Sequence, residues 1–166
     1  MRALVTYGSK MGGTAGLAGM VGEALRRHGV VVDVVAAREA GRPGGYDAVI
    51  VGGALYGGRW HRDARRYVTR HRRELRDLPV WLFSSGPLGD DGQKPDIPPV
   101  GQVAALARRI GARGHRTFGG CLRDDAPGFI ARSMARTLAG DWRDPDDVER
   151  WASLIVGELA STHTAP

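Results

Sequence analysis

Two hydrophobic periods alternate along the chain. Residues 3–7, 30–35, 48–51 and 80–83 are short, near-continuous apolar runs, rich in β-branched side chains and bounded by Gly or Pro. Such runs predict strands covered on both faces. Residues 115–118 form a fifth, less apolar run. Between them lie segments with helical spacing. Residues 14–28 place Leu17, Met20, Val21, Ala24 and Leu25 on one face and stop at Gly29, a natural helix terminator. Residues 64–75 and 100–110 predict two further helices. The last begins with Asp144 as N-cap and Pro145 in the first turn, and runs through Val148, Trp151, Ala152, Ile155, Val156 and Leu159. Strands alternating with helices imply βαβ units, hence one doubly wound α/β domain: a five-stranded parallel sheet with helices on both faces. The expected domain spans residues 1–160, and residues 161–166 read as a flexible tail.

Composition narrows the classes. The single cysteine, Cys121, permits no internal disulfide, so a reducing cytoplasm is the expected compartment. There is no apolar run long enough to span a membrane and no signal-peptide pattern at the N-terminus. The 25 glycines are about twice average usage, without a collagen period. Many backbone positions must therefore need positive φ or close approach.

In a doubly wound sheet, ligands bind beyond the carboxyl ends of the strands, at the switch in strand order. The loop after the first strand reads Ser9-Lys10-Met11-Gly12-Gly13-Thr14 and leads straight into a helix. Its glycines let amides converge, its hydroxyls add donors, and the helix N-terminus adds positive potential, which together make a phosphate cradle. It is neither a Walker A loop nor a G-x-G-x-x-G fingerprint. After the third strand come Gly52 and Gly53, then Ala54-Leu55-Tyr56-Gly57-Gly58 and Trp60, where Tyr56 or Trp60 is placed to stack on a planar ring. Trp60 reads equally as an anchor for the following helix. The loop after the fourth strand, Ser85-Gly86-Pro87-Leu88-Gly89, would meet the other edge of that ring.

These residues carry a resemblance. The stretch from Tyr7 to Thr14 resembles the FMN phosphate loop of flavodoxins. The Tyr46–Gly53 run leading into Tyr56-Gly57-Gly58-Arg59-Trp60 resembles the flavodoxin-like family that includes quinone-dependent protoporphyrinogen oxidases, as do Phe83-Ser84-Ser85-Gly86, Phe118-Gly119-Gly120 and Asp141-Trp142. The resemblance implies strand order 2-1-3-4-5 and noncovalent FMN, with flavodoxins themselves a standing example of the switch-point rule. Ser9, Lys10, Gly12, Gly13 and Thr14 would hold the phosphate, and residues 54–58 and 85–89 would flank the isoalloxazine. The flavin then carries the redox step, and no catalytic residue is assigned. The expected function is electron transfer through FMN, extending to a protoporphyrinogen/quinone oxidoreductase. The alternatives are a non-enzymatic carrier and a cofactor-free interaction module.

Charge adds one more feature. Electron-carrying flavodoxins are typically acidic, whereas this chain has a net charge of +6. From Arg59 to Arg76 there are eight arginines against Asp63 and Glu74, with Arg62, Arg65, Arg66, Arg70 and Arg73 at helical spacing. The expected partner is anionic: a small molecule, an acidic redox protein, or a membrane surface holding quinone. A solvated face is the plain alternative. Nucleic acid is not expected, because beside Trp60 only Tyr67 interrupts the run as an aromatic. His61, next to the ring loop, is a candidate proton donor or a surface residue. Cys121 reads as a small buried hydrophobe. Asp144, Asp146, Asp147 and Glu149 read as helix N-terminal acids. Asp90-Asp91 and Asp124-Asp125 read as solvated loop pairs. Gly16, Gly19 and Gly22 are spaced to bring the first helix close to the sheet.

Overall fold

The computed structural model describes residues 1–10, 12–86, 97–122 and 140–163. The chain order is β1 (Arg2–Gly8), α1 (Gly13–Arg27), β2 (Val31–Ala36), β3 (Ala48–Tyr56), β4 (Arg59–Trp60), α2 (Arg62–Arg70), α3 (Arg72–Arg76), β5 (Val80–Ser85), α4 (Gly101–Ile110), β6 (Gly114–Phe118), β7 (Cys121–Leu122), β8 (Gly140–Asp141) and α5 (Pro145–His163). The main sheet runs β2-β1-β3-β5-β6, all parallel, which is the expected 2-1-3-4-5 order of the five apolar runs. β1 leads outward to β2, and the chain then returns to pair β3 on the other side of β1, so the switch point lies between β1 and β3.

The alternation of side chains along each strand divides the interior in two. Ala3 and Val5 of β1, Ile50 of β3 and Phe83 of β5 pack against α1 and α5. Leu4, Val49, Val51 and Leu82 point the other way, into a second core with α2, α3 and α4. Every one of these eight side chains is buried, which is why the runs read as continuous rather than alternating. Gly22 of α1 sits where a Cβ would lie 2.6 Å from Val34, so it does bring the helix onto β2, whereas Gly19 faces open space and Gly16 faces Arg143.

Three expectations need correction, and one strand pair was not expected. The helix expected over residues 64–75 is two helices, α2 and α3, parted at His71. The His71 backbone leaves the helical region at φ −102° and ψ 17°, which buries its ring 4.7 Å from that of Tyr67 and 3.4 Å from the Glu74 carboxylate. β3 continues through Gly52 and Gly53 to Tyr56 instead of ending at Val51. The tail expected from Ser161 is helical as far as His163, and Ser161 Oγ donates to the Gly157 carbonyl at 2.9 Å. Finally, β7 and β8 form a separate antiparallel pair that no periodicity announced.

At the β6 edge, Ser84 Oγ lies 2.9 Å from His115 Nε2, while His115 Nδ1 is buried without a partner among the described residues. Desolvation pushes the His115 pKa down to about 4, so the folded protein holds this ring neutral. Its folded pKa lies below the unfolded value of about 6.5, so the stability it contributes is complete above pH 6.5 and is lost as the pH falls toward 4. Denaturant titrations at pH 7 and pH 4.5 should differ by about 2 kcal/mol from this residue, allowing for its partial exposure. His115→Gln should remove that part of the pH dependence; an unchanged slope would refute the assignment.

Candidate cofactor site

β1 delivers the chain to the switch point, and its last residue is shaped for packing. A Cβ on Gly8 would lie 2.8 Å from both the Ala64 amide nitrogen and His61 Nδ1, so this glycine admits the start of α2. The loop that follows is held by its own side chain: Ser9 Oγ accepts the Gly12 amide at 3.1 Å. Gly12 has φ +82°, a left-handed conformation, and open space where a Cβ would be. The first bond of α1 runs from the Gly16 amide to the Gly12 carbonyl at 3.0 Å. The amides of Gly13, Thr14 and Ala15 therefore fall before the helical ladder begins. No acidic residue occupies the first turn of α1, and Lys10 is exposed beside it. The result is a set of amide donors, a helix N-terminus and a lysine, an arrangement that favours an anion. Thr14 is buried, and its contribution from the loop side is principally its backbone amide.

The opposite wall is made by the end of β3. Gly57 and Gly58, at φ +53° and +72°, form a two-residue turn between β3 and β4. Positive φ at both positions is the mirror-image turn that fits the twist of a hairpin, and it admits glycine best. Tyr56, just before the turn, is half-buried, and its hydroxyl accepts the Lys10 amide at a long 3.4 Å. Tyr56 thus spans from β3 to the phosphate-type loop. β5 closes the third side. Ala54 pairs with Ser85 in register, and Gly86, at φ +114°, donates its amide to the Phe118 carbonyl at 3.1 Å. Leu55 stands across from Gly86, beside the space a Cβ there would take.

The structure therefore brings together Ser9, Lys10, Gly12, Gly13, Ala54, Leu55, Tyr56, Gly57, Gly58, Ser85 and Gly86, with Thr14 behind the loop. Met11, Pro87, Leu88 and Gly89 lie outside the described residues, as do Asp90, Asp91, Asp124 and Asp125. Trp60 corrects the expectation of a stacking ring. Its side chain is only 2% exposed, belongs to the core with α2 and α4, and fills the space beside Gly53, where a Cβ would be 2.6 Å from the indole. Gln102 Oε1 accepts the Trp60 amide at 3.1 Å. The anchoring alternative is the one the fold uses.

His61 also turns inward. Its Nδ1 accepts the Asp63 amide at 3.3 Å and so caps α2, and its ring meets that of Tyr56 edge-on with centroids 6.2 Å apart. Burial, reinforced by Arg62, Arg65 and Lys10, lowers its pKa against the pull of Asp63, which keeps the cap neutral. Cys121 is partly exposed, not fully buried, and β7 sets it against the start of α1, where a Cβ on Gly13 would lie 2.7 Å from the Cys121 carbonyl oxygen. Sequence reasoning did not find this approach, nor the Asp141 carboxylate paired with Arg143 behind it, which holds the Asp141 pKa below its ordinary value. The hairpin of β3 and β4 was signalled by Gly57-Gly58 between two extended runs.

The profile of the flavodoxin domain matches residues 4–148, most of the chain, from within β1 to the first turn of α5. The chain belongs to the flavodoxin family. Members of that family bind FMN. The solved structures agree on the fold of this flavodoxin domain. A flavodoxin from the domain Archaea superposes with a TM-score of 0.66 at 15% identity, over 96% of this chain and 99% of that one. The Streptococcus pneumoniae TIGR4 flavodoxin gives 0.61 at 19% identity, over 95% and 99%. The rubredoxin oxygen:oxidoreductase of Desulfovibrio gigas gives 0.68 at 14% identity over 99% of this chain, which spans 37% of that larger protein. No curated protein matches the chain in sequence. None of the helices among the described residues is long and apolar enough to cross a membrane.

Proposed function

We propose that the chain is an electron-transfer flavoprotein that holds FMN noncovalently where β1, β3 and β5 end. The observation that carries this reading is the anion cradle: a loop fastened by Ser9, a left-handed Gly12, three amides ahead of the α1 ladder, and Lys10. These residues suit a phosphate. Tyr56 offers a ring face at the far side, and the open turn at Gly57 and Gly58 lets a planar group approach the backbone. FMN, when bound, supplies reversible electron uptake, and the chain's own groups bind it, orient it and tune it. Because the flavin itself would take up and release the electrons, the arrangement suits electron transfer.

Purified protein should be yellow and release one FMN per chain on denaturation. FMN added to stripped protein should raise its melting temperature through mass action. A colourless protein that FMN neither colours nor stabilises would overturn the reading. The narrower resemblance to quinone-dependent protoporphyrinogen oxidases is tested separately, by porphyrin formation from protoporphyrinogen with a quinone under anaerobic conditions. A stable, reducible flavin without that activity identifies a carrier.

A further inference from the structure

The arginines of α2 and α3 are joined in space by one from α4. Arg72, Arg73, Arg76 and Arg109 surround a hollow of about 590 Å³ floored by Val68, Leu106 and Ile110. A second hollow, about 630 Å³, lies between Arg62, Arg65, Arg66 and Arg70, and the two share Thr69. Among the described residues, no carboxylate lines either one. Of the nearby acids, Asp63 pairs with Arg62 at the edge of the second hollow at 3.4 Å, while Glu74 is engaged by His71 and Arg42 at 3.4 and 3.7 Å. Arg76 is fixed in place, its Nε donating to the Arg109 carbonyl at 2.7 Å. Arg65 Nε is buried without an acceptor among the described residues. Like charges gathered this closely repel one another and destabilise the fold, so the arrangement is explained best by an anion that it receives.

We propose that this surface docks an acidic protein that exchanges electrons with the chain, an inference that rests on the flavin reading above. The surface starts at Arg62, one residue from His61, whose ring lies against Tyr56 at the cofactor edge. It follows α2 for about 13 Å at ~1.5 Å per residue and continues onto α3, which is longer than a small anion. Guanidinium forks pair with carboxylates in two-point fashion. The one aromatic within the run, Tyr67, is buried, so no ring is offered for base stacking. Among the described residues, the large exposed apolar ones, Met1, Val31 and Leu154, lie outside both hollows, so none of them gives this surface an anchor for insertion into a bilayer.

The probe is an acidic plant-type ferredoxin, with basic cytochrome c as its charge-reversed counterpart. Phosphatidylglycerol vesicles and oligothymidine represent the other anions. Ferredoxin affinity should fall steeply with salt and drop at least about tenfold in Arg72→Glu/Arg109→Glu. It should change by less than about twofold in Arg38→Glu/Arg150→Glu, which removes equal charge elsewhere. Loss in both variants alike, no ferredoxin binding, or tighter binding to vesicles or oligothymidine through the same arginines would each overturn the proposal. FMN content, read by absorbance in every variant, keeps the two readings apart. A colourless protein that still binds ferredoxin through Arg72 and Arg109 defeats the flavin reading and leaves the docking surface in place.

Discussion

Ser9→Asp is expected to weaken FMN binding by about two to three orders of magnitude while leaving the melting temperature of the stripped protein nearly unchanged. The two effects separate because Ser9 acts in two ways. Its Oγ accepts the Gly12 amide at 3.1 Å, and an aspartate at the same place can accept that amide equally well. The loop should keep its shape. The new negative charge, however, sits among donors that a phosphate would use. Two unit charges ~5 Å apart at an effective dielectric constant of about 20 repel by about 3 kcal/mol, or more than a hundredfold in affinity. Lys10 is exposed and offsets only part of this. Two controls make the cause visible. Riboflavin, which lacks the phosphate, should bind wild type and Ser9→Asp alike, and added salt should narrow the gap for FMN. Equal FMN affinity in the two proteins, by fluorescence quenching, would remove the cradle from its assigned task.

That loop was legible in the sequence because everything it needs is local: strand, glycines, hydroxyls and helix follow one another within a few residues. The doubly wound class was legible for a similar reason, in five apolar runs separated by helical patterns, whereas the order 2-1-3-4-5 was implied only by the resemblance to flavodoxins. The end of β3 was not. Gly52-Gly53 reads as a break in any strand pattern, and nothing nearby says which rings will fill the space beside them. The answer lies in Phe83 and Trp60, on opposite faces of the sheet. The inward turn of Trp60 depends in turn on the hairpin at Gly57-Gly58. The break at His71 escaped because the arginine spacing continues through it; only burial of the His71 ring, against Tyr67, parts the two helices. Part of the glycine surplus, Gly52 and Gly53, thus serves aromatic packing, while Gly12, Gly13, Gly57, Gly58 and Gly86 border the candidate site.

Gly52→Ala should therefore be among the most damaging single-methyl changes in this chain. The added Cβ would fall within the ring of Phe83, which is fully buried and cannot swing away. Phe118 and Trp151 each hold that ring edge-on at 6.2 Å, and they meet each other at 5.4 Å. Overpacking of a closed core costs about 1–3 kcal/mol, and with three rings interlocked the upper end applies. For a domain of this size that is a fall of roughly 6–12 °C in melting temperature. Gly19→Ala provides the contrast, because its Cβ would enter open space within α1; it should be neutral or stabilise by up to about 1 kcal/mol. The diagnostic measurement is a double-mutant cycle. Phe83→Leu alone leaves a void and destabilises, yet in Gly52→Ala/Phe83→Leu the smaller side chain gives the new methyl room. The pair should be more stable than the sum of the singles predicts, by about 1–2 kcal/mol. Strict additivity would mean that Gly52 is required for a reason other than the Phe83 ring.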